Sequence, residues 1–205
     1  MKLDEAIATL IGQYPLLQLR EQRETLLGGS TRQGVLFYPG ENGPETYRTL
    51  YWNIWDETLP ALLAMMLNPS TADHRQRDNT VTLLVNRAAR TKHGGLIIGN
   101  SADIRATDPK HMLTSKAPQS PANQAAIRAL LQIRPATLLC AWGDNISEEM
   151  ERHILDVVAK SGVTPHALGI TKSRRPKHPL RIGYETPMKP WLTQPEPMGE
   201  IPALS

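Results

Sequence analysis

The fold is decided by the stretch Leu62-Leu63-Ala64-Met65-Met66-Leu67-Asn68-Pro69-Ser70-Thr71-Ala72-Asp73, where six apolar residues run directly into a polar cluster. An uninterrupted apolar run is typical of a β-strand that is buried on both faces of a sheet. Open α/β sheets bind ligands in the loops at the carboxyl ends of their strands. Asn68 would be the first residue beyond the strand, so this loop is a candidate site. A plain strand end followed by a helix cap explains the same residues equally well.

Three later segments repeat this design. Residues 96–100 form an apolar run that ends at Asn100, and residues 137–142 form another that opens into Gly143. A weaker strand at residues 166–170 leads to Thr171 and a basic loop. The helical spacing of apolar residues predicts helices between these strands, at residues 81–89, 121–133 and 147–161. The alternation predicts a three-layer α/β/α domain with a mainly parallel four-stranded central sheet, in which all these loops share one edge.

The segments outside the alternating region are less regular. Residues 3–27 have helical spacing interrupted by Pro15, which predicts one broken helix or two short ones that serve as a lid or partner surface. Residues 28–30 are typical of a linker, and residues 35–55 of a β-hairpin that turns at 39–44. A proline-rich tail starts at Met188. We therefore expect an N-terminal helical extension over 1–30, a single α/β domain over 31–187 and a tail over 188–205.

The composition and the motifs of the sequence exclude several classes of protein. The chain has 205 residues, 40% hydrophobic and 21% charged, which suits one substantial core. It has no apolar run near 18 residues and no signal-peptide pattern, so we expect a soluble, cytoplasmic protein without a membrane partner. The single cysteine, Cys140, excludes an internal disulfide and a multi-cysteine zinc site. P-loop, dinucleotide-binding and Gly-x-Ser-x-Gly motifs are absent from the sequence, and we expect no cofactor and no metal.

Basic residues are concentrated in two places, although the net charge is only +3 and the pI about 9.1. One cluster surrounds His178 and consists of Lys172, Arg174, Arg175, Lys177 and Arg181. The other follows the Asn68 loop and consists of His74, Arg75, Arg77, Arg87, Arg90 and Lys92. A single cluster is usually a solvated face, but two beside predicted strand-end loops favour a phosphate-bearing ligand such as DNA.

Four motifs in order carry a family resemblance: residues 68–73, Asn100 with residues 105–109, residues 141–143, and residues 178–180. They resemble the signature of the bacterial and phage family called domain of unknown function 1643, over about residues 35–185. More distantly, the same order is similar to the uracil-DNA glycosylase superfamily. This resemblance implies a glycosylase-like fold. The chain departs from the mismatch-specific branch in two ways: Ser70 replaces a glycine, and the His178 loop is two residues shorter.

The resemblance implies a role for each candidate residue. Cleavage of an N-glycosidic bond leaves negative charge on the departing base, and a water must be held near C1′ of the sugar. His178 would donate a hydrogen bond to the base, Asn68 would hold the water, and Asp73 or Asp78 would supply the missing general base. Asn100 would read the edge of a flipped base. The implied substrate-contacting residues are Pro69, Ser70, Thr71, Asp78, Thr80, Asn100, Arg105, Trp142, Gly143 and Thr171.

The implied phosphate contacts come from Arg105 and the cations around His178, namely Lys172, Arg174, Arg175, Lys177 and Arg181. The leading interpretation is therefore a hydrolase directed at a nucleic-acid base. Two alternatives stay open: a non-enzymatic DNA- or protein-binding module with a degenerate cleft, and a nucleoside or nucleotide hydrolase. A homodimer or a protein partner at the N-terminal helices is a further expectation.

Overall fold

The computed structural model describes residues 1–26, 29–69, 79–106, 112, 114–115, 117–133 and 137–191. In this part of the chain there are four helices and eight strands. The helices are α1 (Leu3–Gln13), α2 (Asn79–Arg90), α3 (Asn123–Gln132) and α4 (Glu148–Ser161). The strands are β1 (Gln18–Leu26), β2 (Gly29–Gly40), β3 (Gly43–Ile54), β4 (Ala61–Met66), β5 (Gly95–Asn100), β6 (Thr137–Cys140), β7 (Pro165–Ala167) and β8 (Lys189–Pro190).

The strands form one mixed sheet in the order β1-β2-β3-β5-β4-β6-β7-β8. The strands β5, β4, β6 and β7 are parallel neighbours. The predicted mainly parallel four-stranded sheet is nevertheless wrong, because these four strands are the middle of an eight-stranded mixed sheet. The hairpin extends it: β3 pairs antiparallel with β5, from Tyr51 opposite Ile98 to Ile54 opposite Gly95.

The second half of the predicted N-terminal helix is a strand. The helix α1 ends at Gln13, just before Pro15, and β1 then pairs antiparallel with β2 from Gln18 opposite Phe37 to Leu26 opposite Gly29. Polar residues on both faces are tolerated in β1 because it lies at the edge of the sheet, largely exposed. Gly29 and Ser30, predicted to lie in a linker, belong to β2.

Helices cover both faces of the sheet, as alternate residues of β4 show. Leu63 and Met65 pack in one core cluster with α1, α3 and α4, whereas Leu62, Ala64 and Met66 pack in a second cluster with α2. Successive side chains of a strand point to opposite faces, so both faces of β4 are buried. Cys140 is fully buried in the first cluster, and its burial raises the pKa of the thiol.

The end of the described chain belongs to the fold, in contrast to the tail predicted from Met188. Lys189 and Pro190 pair antiparallel with β7, and Trp191 is buried with its ring edge-to-face to Trp142, 5.5 Å between centroids. The hairpin from residue 35 to 55 is confirmed, with Gly40 opposite Gly43 at its turn. The predicted domain boundaries stay predictions. Among the described helices, none is both long and apolar enough to cross a membrane.

Candidate functional site

A cavity of about 400 Å³ lies at the carboxyl edge of the parallel strands. Because β4, β5 and β6 are parallel, the residues that follow them meet at this edge. The cavity collects six of the predicted site residues: Asn68, Thr80, Asn100, Trp142, Gly143 and His178. Its other lining residues are Arg48, Met66, Leu67, Val81, Ile98, Ala106, Asp144, Asn145 and Leu180. The walls therefore combine apolar side chains with a few polar groups, as in most small-ligand sites.

Two larger grooves, of about 560 and 790 Å³, run along α4, and none of the predicted site residues that the structure describes lines them. Their described walls include exposed polar side chains such as Arg152 and Asp156. We place the candidate site in the smaller cavity because the strand ends and the buried polar side chains converge there.

Backbone hydrogen bonds fix the two loops that follow β4 and β5, beside Asn68 and Asn100. The amides of Ser101 and Ala102 donate to the carbonyls of Met66 and Leu67, each at 2.8 Å. Farther along, the amide of Ala106 donates to the carbonyl of Pro69 at 3.0 Å. The loops after β4 and β5 therefore run side by side, which holds the cavity wall in one geometry.

The side chain of Asn68 is oriented by this pair of loops. Its Nδ2 donates to the carbonyl of Ala106 at 2.8 Å and to that of Pro69 at 3.1 Å. Both amide hydrogens are thus used by the backbone. The carbonyl oxygen Oδ1 is the atom of this side chain that can accept a hydrogen bond from a ligand or water.

Asn100 is the most unusual polar residue of the site. It is 1% exposed at the end of β5, and neither Nδ2 nor Oδ1 has a hydrogen-bond partner in the described part of the chain. An unpaired buried amide costs about 1–3 kcal/mol, so such groups are rare and require an explanation. The side chain lines the cavity, where a ligand could use its donor and its acceptor together.

His178 is half-buried, and its backbone packs against Gly143. The amide of Leu180 donates to Nδ1 of His178 at 3.2 Å. A backbone amide can only donate, so Nδ1 accepts, and the proton of the neutral imidazole is on Nε2. Gly143 has a φ of 71°, and its amide donates to the carbonyl of Pro176 at 2.9 Å. This left-handed turn after β6 brings the His178 segment onto the cavity.

Trp142 is held from outside the cavity by Glu151 of α4. Its Nε1 donates to Oε1 of Glu151 at 3.1 Å, and the other carboxylate oxygen accepts from Nε of Arg175 at 2.8 Å. Arg175 also donates to the carbonyl of Asp144 at 2.9 Å. The predicted phosphate contact Arg175 is therefore engaged in joining the basic loop to α4 and to the loop after β6.

Three of the predicted substrate contacts that the structure describes, Thr171, Arg105 and Pro69, lie outside the cavity lining. Thr171 donates to Oδ1 of Asp144 at 2.6 Å, so it supports the loop at the rim. Arg105 pairs with Glu45 at 3.0 Å and lies over the ring of Phe37, 5.3 Å from its centroid. Pro69 is buried beside the site and accepts the loop-joining hydrogen bond through its carbonyl. The predicted residues Ser70, Thr71, Asp73 and Asp78 lie outside the described residues.

The two basic clusters differ in exposure and in hydrogen bonding. Lys172, Arg174, Lys177 and Arg181 are exposed in the loop that carries His178. In the second cluster Arg87 is buried and donates to the carbonyls of Gly183, Tyr184 and Thr186, so its role is structural. Arg90 lies over the ring of Tyr184, 4.8 Å from its centroid. The members His74, Arg75 and Arg77 lie outside the described residues.

Sequence reasoning missed three polar residues of the described cavity lining, namely Arg48, Asp144 and Asn145. Arg48 of β3 lines the cavity and is only 2% exposed. Its backbone amide donates to the carbonyl of Asp103 at 2.8 Å. The fully buried Asp103 accepts from Thr49 at 2.9 Å and from the Ser120 amide at 2.6 Å. The available signal was a single arginine among the aromatic residues of β3, a segment that the sequence predicted only as the second arm of a β-hairpin.

The fold and the cavity define a mixed α/β protein with a buried polar site at the carboxyl edge of its parallel strands. A family model described as "Protein of unknown function (DUF1643)" matches residues 48–180, and the chain belongs to this family. The resemblance to this family is thereby confirmed, and the matched range contains all six cavity residues that the sequence predicted. None of the curated proteins matches the chain.

Among solved structures, the chain is similar to a protein of Bacteroides fragilis NCTC 9343 described, provisionally, as an acetyl xylan esterase. The two are 13% identical with a TM-score of 0.37, and the match covers 90% of this chain and 60% of that one. The chain thus spans about 60% of the length of that protein. A likeness at this level carries no functional argument.

Proposed function

We propose that this protein binds a nucleobase in the cavity and hydrolyses its N-glycosidic bond, as a DNA glycosylase-like enzyme on a flipped uracil, mismatched or modified base. The glycosylase-like fold is part of the same proposal. The observation that carries it is the buried amide of Asn100, whose donor and acceptor have no partner among the described residues. A nucleobase edge that carries both a carbonyl and an N–H group would satisfy the two atoms at once.

The volume and walls of the cavity suit such a ligand. About 400 Å³ is in the range of small-molecule sites and accommodates one base with part of its sugar. Apolar side chains such as Val81, Ile98 and Trp142 line the cavity and offer contacts to a planar ring. A base leaves the DNA stack only if the pocket replaces its stacking and pairing partners, which this combination of walls and amide can do.

His178 supplies the donor that the chemistry requires. Rupture of the glycosidic bond moves its electron pair onto the base, so negative charge develops at a base oxygen. The Nε2–H of His178 can donate to that oxygen, because Nδ1 already accepts from the amide of Leu180. This lowers the energy of the departing base without a prior proton transfer.

Asn68 supplies an acceptor for the attacking water. The water adds to C1′ of the sugar as the base departs, and its proton must pass to a base. Oδ1 of Asn68 can accept a hydrogen bond from this water but, as an amide oxygen, cannot take the proton. Among the described lining residues, Asp144 is the only carboxylate. Asp73 stays a predicted catalytic residue outside the described part of the chain, with Asp78 as its alternative.

An abasic-site assay tests this proposal. The protein is incubated with single- and double-stranded oligonucleotides that carry uracil, mismatched or modified bases, and alkali then cleaves any abasic product. Strand cleavage that disappears in the His178→Ala variant, with folding retained, supports the glycosylase. Cleavage that persists undiminished in this variant contradicts the assigned role of His178.

The second candidate is a non-enzymatic nucleic-acid or protein-binding module. It is favoured by the hydrogen bonds that already occupy the polar groups: Nδ2 of Asn68 donates to the backbone, and Asp144 accepts from Thr171. Absence of cleavage on every oligonucleotide, with salt-sensitive DNA binding retained, would favour this module. Release of base from free nucleosides or nucleotides, but not from oligonucleotides, would instead identify a small-molecule hydrolase.

A further inference from the structure

The strand β1 is the outermost strand at one edge of the described sheet. It is nine residues long, and in the described part of the chain no strand lies on its outer side. Its register with β2 is unbroken from Gln18 to Leu26, and it contains neither proline nor lysine. Edge strands are usually kept from pairing by bulges, prolines or charged side chains, and of these β1 has only charged side chains, which are of both signs.

We propose that β1 pairs antiparallel with β1 of a second copy of this chain, about a two-fold axis that passes through Gln22. The eight-stranded sheet would then continue across the two copies. In a strand, the backbone N–H groups of alternate residues point to the same edge. Two copies of one strand can therefore form an antiparallel ladder only when the axis passes through a residue, which limits the registers to a few.

The charges of β1 select one of these registers. With the axis at Gln22, Arg20 faces Glu24 of the second copy, and Glu21 faces Arg23 of the second copy. The two-fold axis repeats both pairs, so four pairs of opposite charge form across the interface. Cross-strand pairs of opposite charge stabilise a sheet, and like charges directly opposite destabilise it.

The neighbouring registers lack this complementarity. An axis at Glu21 places two Glu21 carboxylates opposite each other. An axis at Arg20 or Arg23 places two guanidinium groups opposite each other. The sequence Arg20-Glu21-Gln22-Arg23-Glu24 therefore favours the axis at Gln22 over its neighbours. This is the self-complementary pattern that a two-fold interface requires.

The contacts within one chain are compatible with the pairing. Oε2 of Glu21 accepts from Arg32 at 2.6 Å, whereas Oε1 lies 3.6 Å from Nε of Arg23. Arg23 has a side chain that is 66% exposed, so it can turn to the second copy without loss of a buried contact. Arg20 pairs with Glu45 and keeps a side chain that is 41% exposed.

Sedimentation velocity of the full chain at low salt tests the proposal. The wild-type protein should dimerise, more weakly at high salt because the pairs are screened. Glu24→Arg would place two guanidinium groups, those of positions 20 and 24, opposite each other twice, and we expect dimerisation to weaken by about tenfold or more. Glu41→Arg, the same charge change in the exposed turn between β2 and β3, should leave the dimer unchanged. A monomeric wild type, or a dimer unaffected by Glu24→Arg, would overturn the proposal.

A mixture of two variants tests the register itself. Arg20→Glu and Glu24→Arg should each be monomeric alone, because each puts like charges opposite. Mixed together, they should form a heterodimer, because position 20 of each chain then faces an opposite charge at position 24 of the other. Failure of the mixture to associate, when the wild type does, would exclude this register.

Cross-linking gives an independent readout of the axis. Opposite residues of an antiparallel pair have Cα atoms about 4.5–5.5 Å apart, within the range of about 4.4–6.8 Å that a disulfide allows. Gln22→Cys should therefore form a disulfide-linked dimer on mild oxidation, since the native Cys140 is buried. Glu24→Cys should not, because the two positions 24 would lie roughly 13 Å apart along the strand. Equal cross-linking by both variants would contradict the register.

Discussion

Gly143 and His178 are neighbours at the cavity: a Cβ placed on Gly143 would lie 3.6 Å from Cβ of His178. That separation is an ordinary van der Waals distance, so a methyl group fits. The backbone of Gly143, however, has a φ of 71°, which costs an L-residue about 1–2 kcal/mol. Gly143→Ala should therefore lower the free energy of unfolding by about this amount, measured by urea denaturation, and reduce activity by shifting the His178 segment.

Gly162→Ala is the matched control for this substitution. Gly162 ends α4 with a φ of 70°, and no atom lies within 4 Å of its added Cβ. It should lose a similar free energy of unfolding while base release or ligand binding is retained. Equal losses of activity in both variants would mean that the effect of Gly143→Ala is general destabilisation.

Replacement of Asn100 should separate stability from function. In Asn100→Leu the two unpaired polar atoms of a buried side chain are replaced by apolar ones of similar volume. We expect the free energy of unfolding to stay equal or to rise by about 1 kcal/mol, while affinity for the base is lost. Thermal unfolding and a base-binding titration measure the two quantities.

Asn123 offers the contrasting case in the same region. Its Nδ2 donates to the carbonyls of Asn100 and Ser101, each at 3.2 Å, so it supports the loop rather than the ligand. Asn123→Ala should destabilise the protein by about 1–3 kcal/mol because these buried acceptors lose a donor. If Asn100→Leu destabilises the protein as much as Asn123→Ala does, the proposed ligand-binding role of Asn100 is wrong.

The parallel half of the fold could be predicted because its signals are local. Buried strands such as β4 and β5 are continuous apolar runs, and helices such as α2 and α4 show the 3.6-residue spacing. The strand β1 could not be predicted in this way, because its apolar residues are spaced as in a helix. Its polar faces are tolerated only at the edge of a sheet. The pairing of β3 with β5 depends on contacts between distant segments, which periodicity does not encode.

The candidate site shows the same difference between local sequence signals and contacts between distant segments. Asn68 and Gly143 follow buried strands and Asn100 ends one, so parallel topology alone predicted that they meet. Arg48 belongs to the antiparallel hairpin, and only the pairing of β3 with β5 brings it to the cavity. Thr171 and Arg175 follow the predicted fourth strand, but their contacts with Asp144 and Glu151 depend on side-chain geometry that the sequence pattern does not specify.

The buried carboxyl of Asp103 makes stability depend on pH. Burial raises its pKa to about 6, against the three hydrogen bonds from Thr49 and Ser120 that favour the ionised form. The folded protein therefore holds this proton more tightly than the unfolded chain does. The contribution to stability is full below pH about 4 and is lost as the pH rises to about 6, a change of about 3 kcal/mol.

Asp103→Asn removes this titration and keeps the shape of the side chain. Urea unfolding of both proteins at pH 4, 5, 6 and 7 isolates it, because the other carboxyl groups titrate equally in the two. The wild type should lose about 2 kcal/mol relative to the variant between pH 4 and 6. Parallel pH profiles of the two proteins would rule out the raised pKa.

Replacement of the cations in the loop at residues 172–181 should affect stability in two different ways. Arg175→Ala leaves Glu151, whose side chain is 16% exposed, without its cationic partner and should destabilise the protein by several kcal/mol. Lys172→Ala with Lys177→Ala removes two exposed ammonium groups and should change stability by less than about 0.5 kcal/mol.

Under the proposed function, the double lysine variant should bind DNA more weakly. The slope of log affinity against log salt concentration should become shallower by the equivalent of up to about two phosphate contacts. Fluorescence anisotropy over a salt series measures this slope, and the exposed Lys160 of α4, replaced by alanine, is the control. An unchanged slope in the double variant would place the DNA phosphates elsewhere on the surface. Since both lysines belong to the loop that carries His178, it would also separate DNA binding from the cavity.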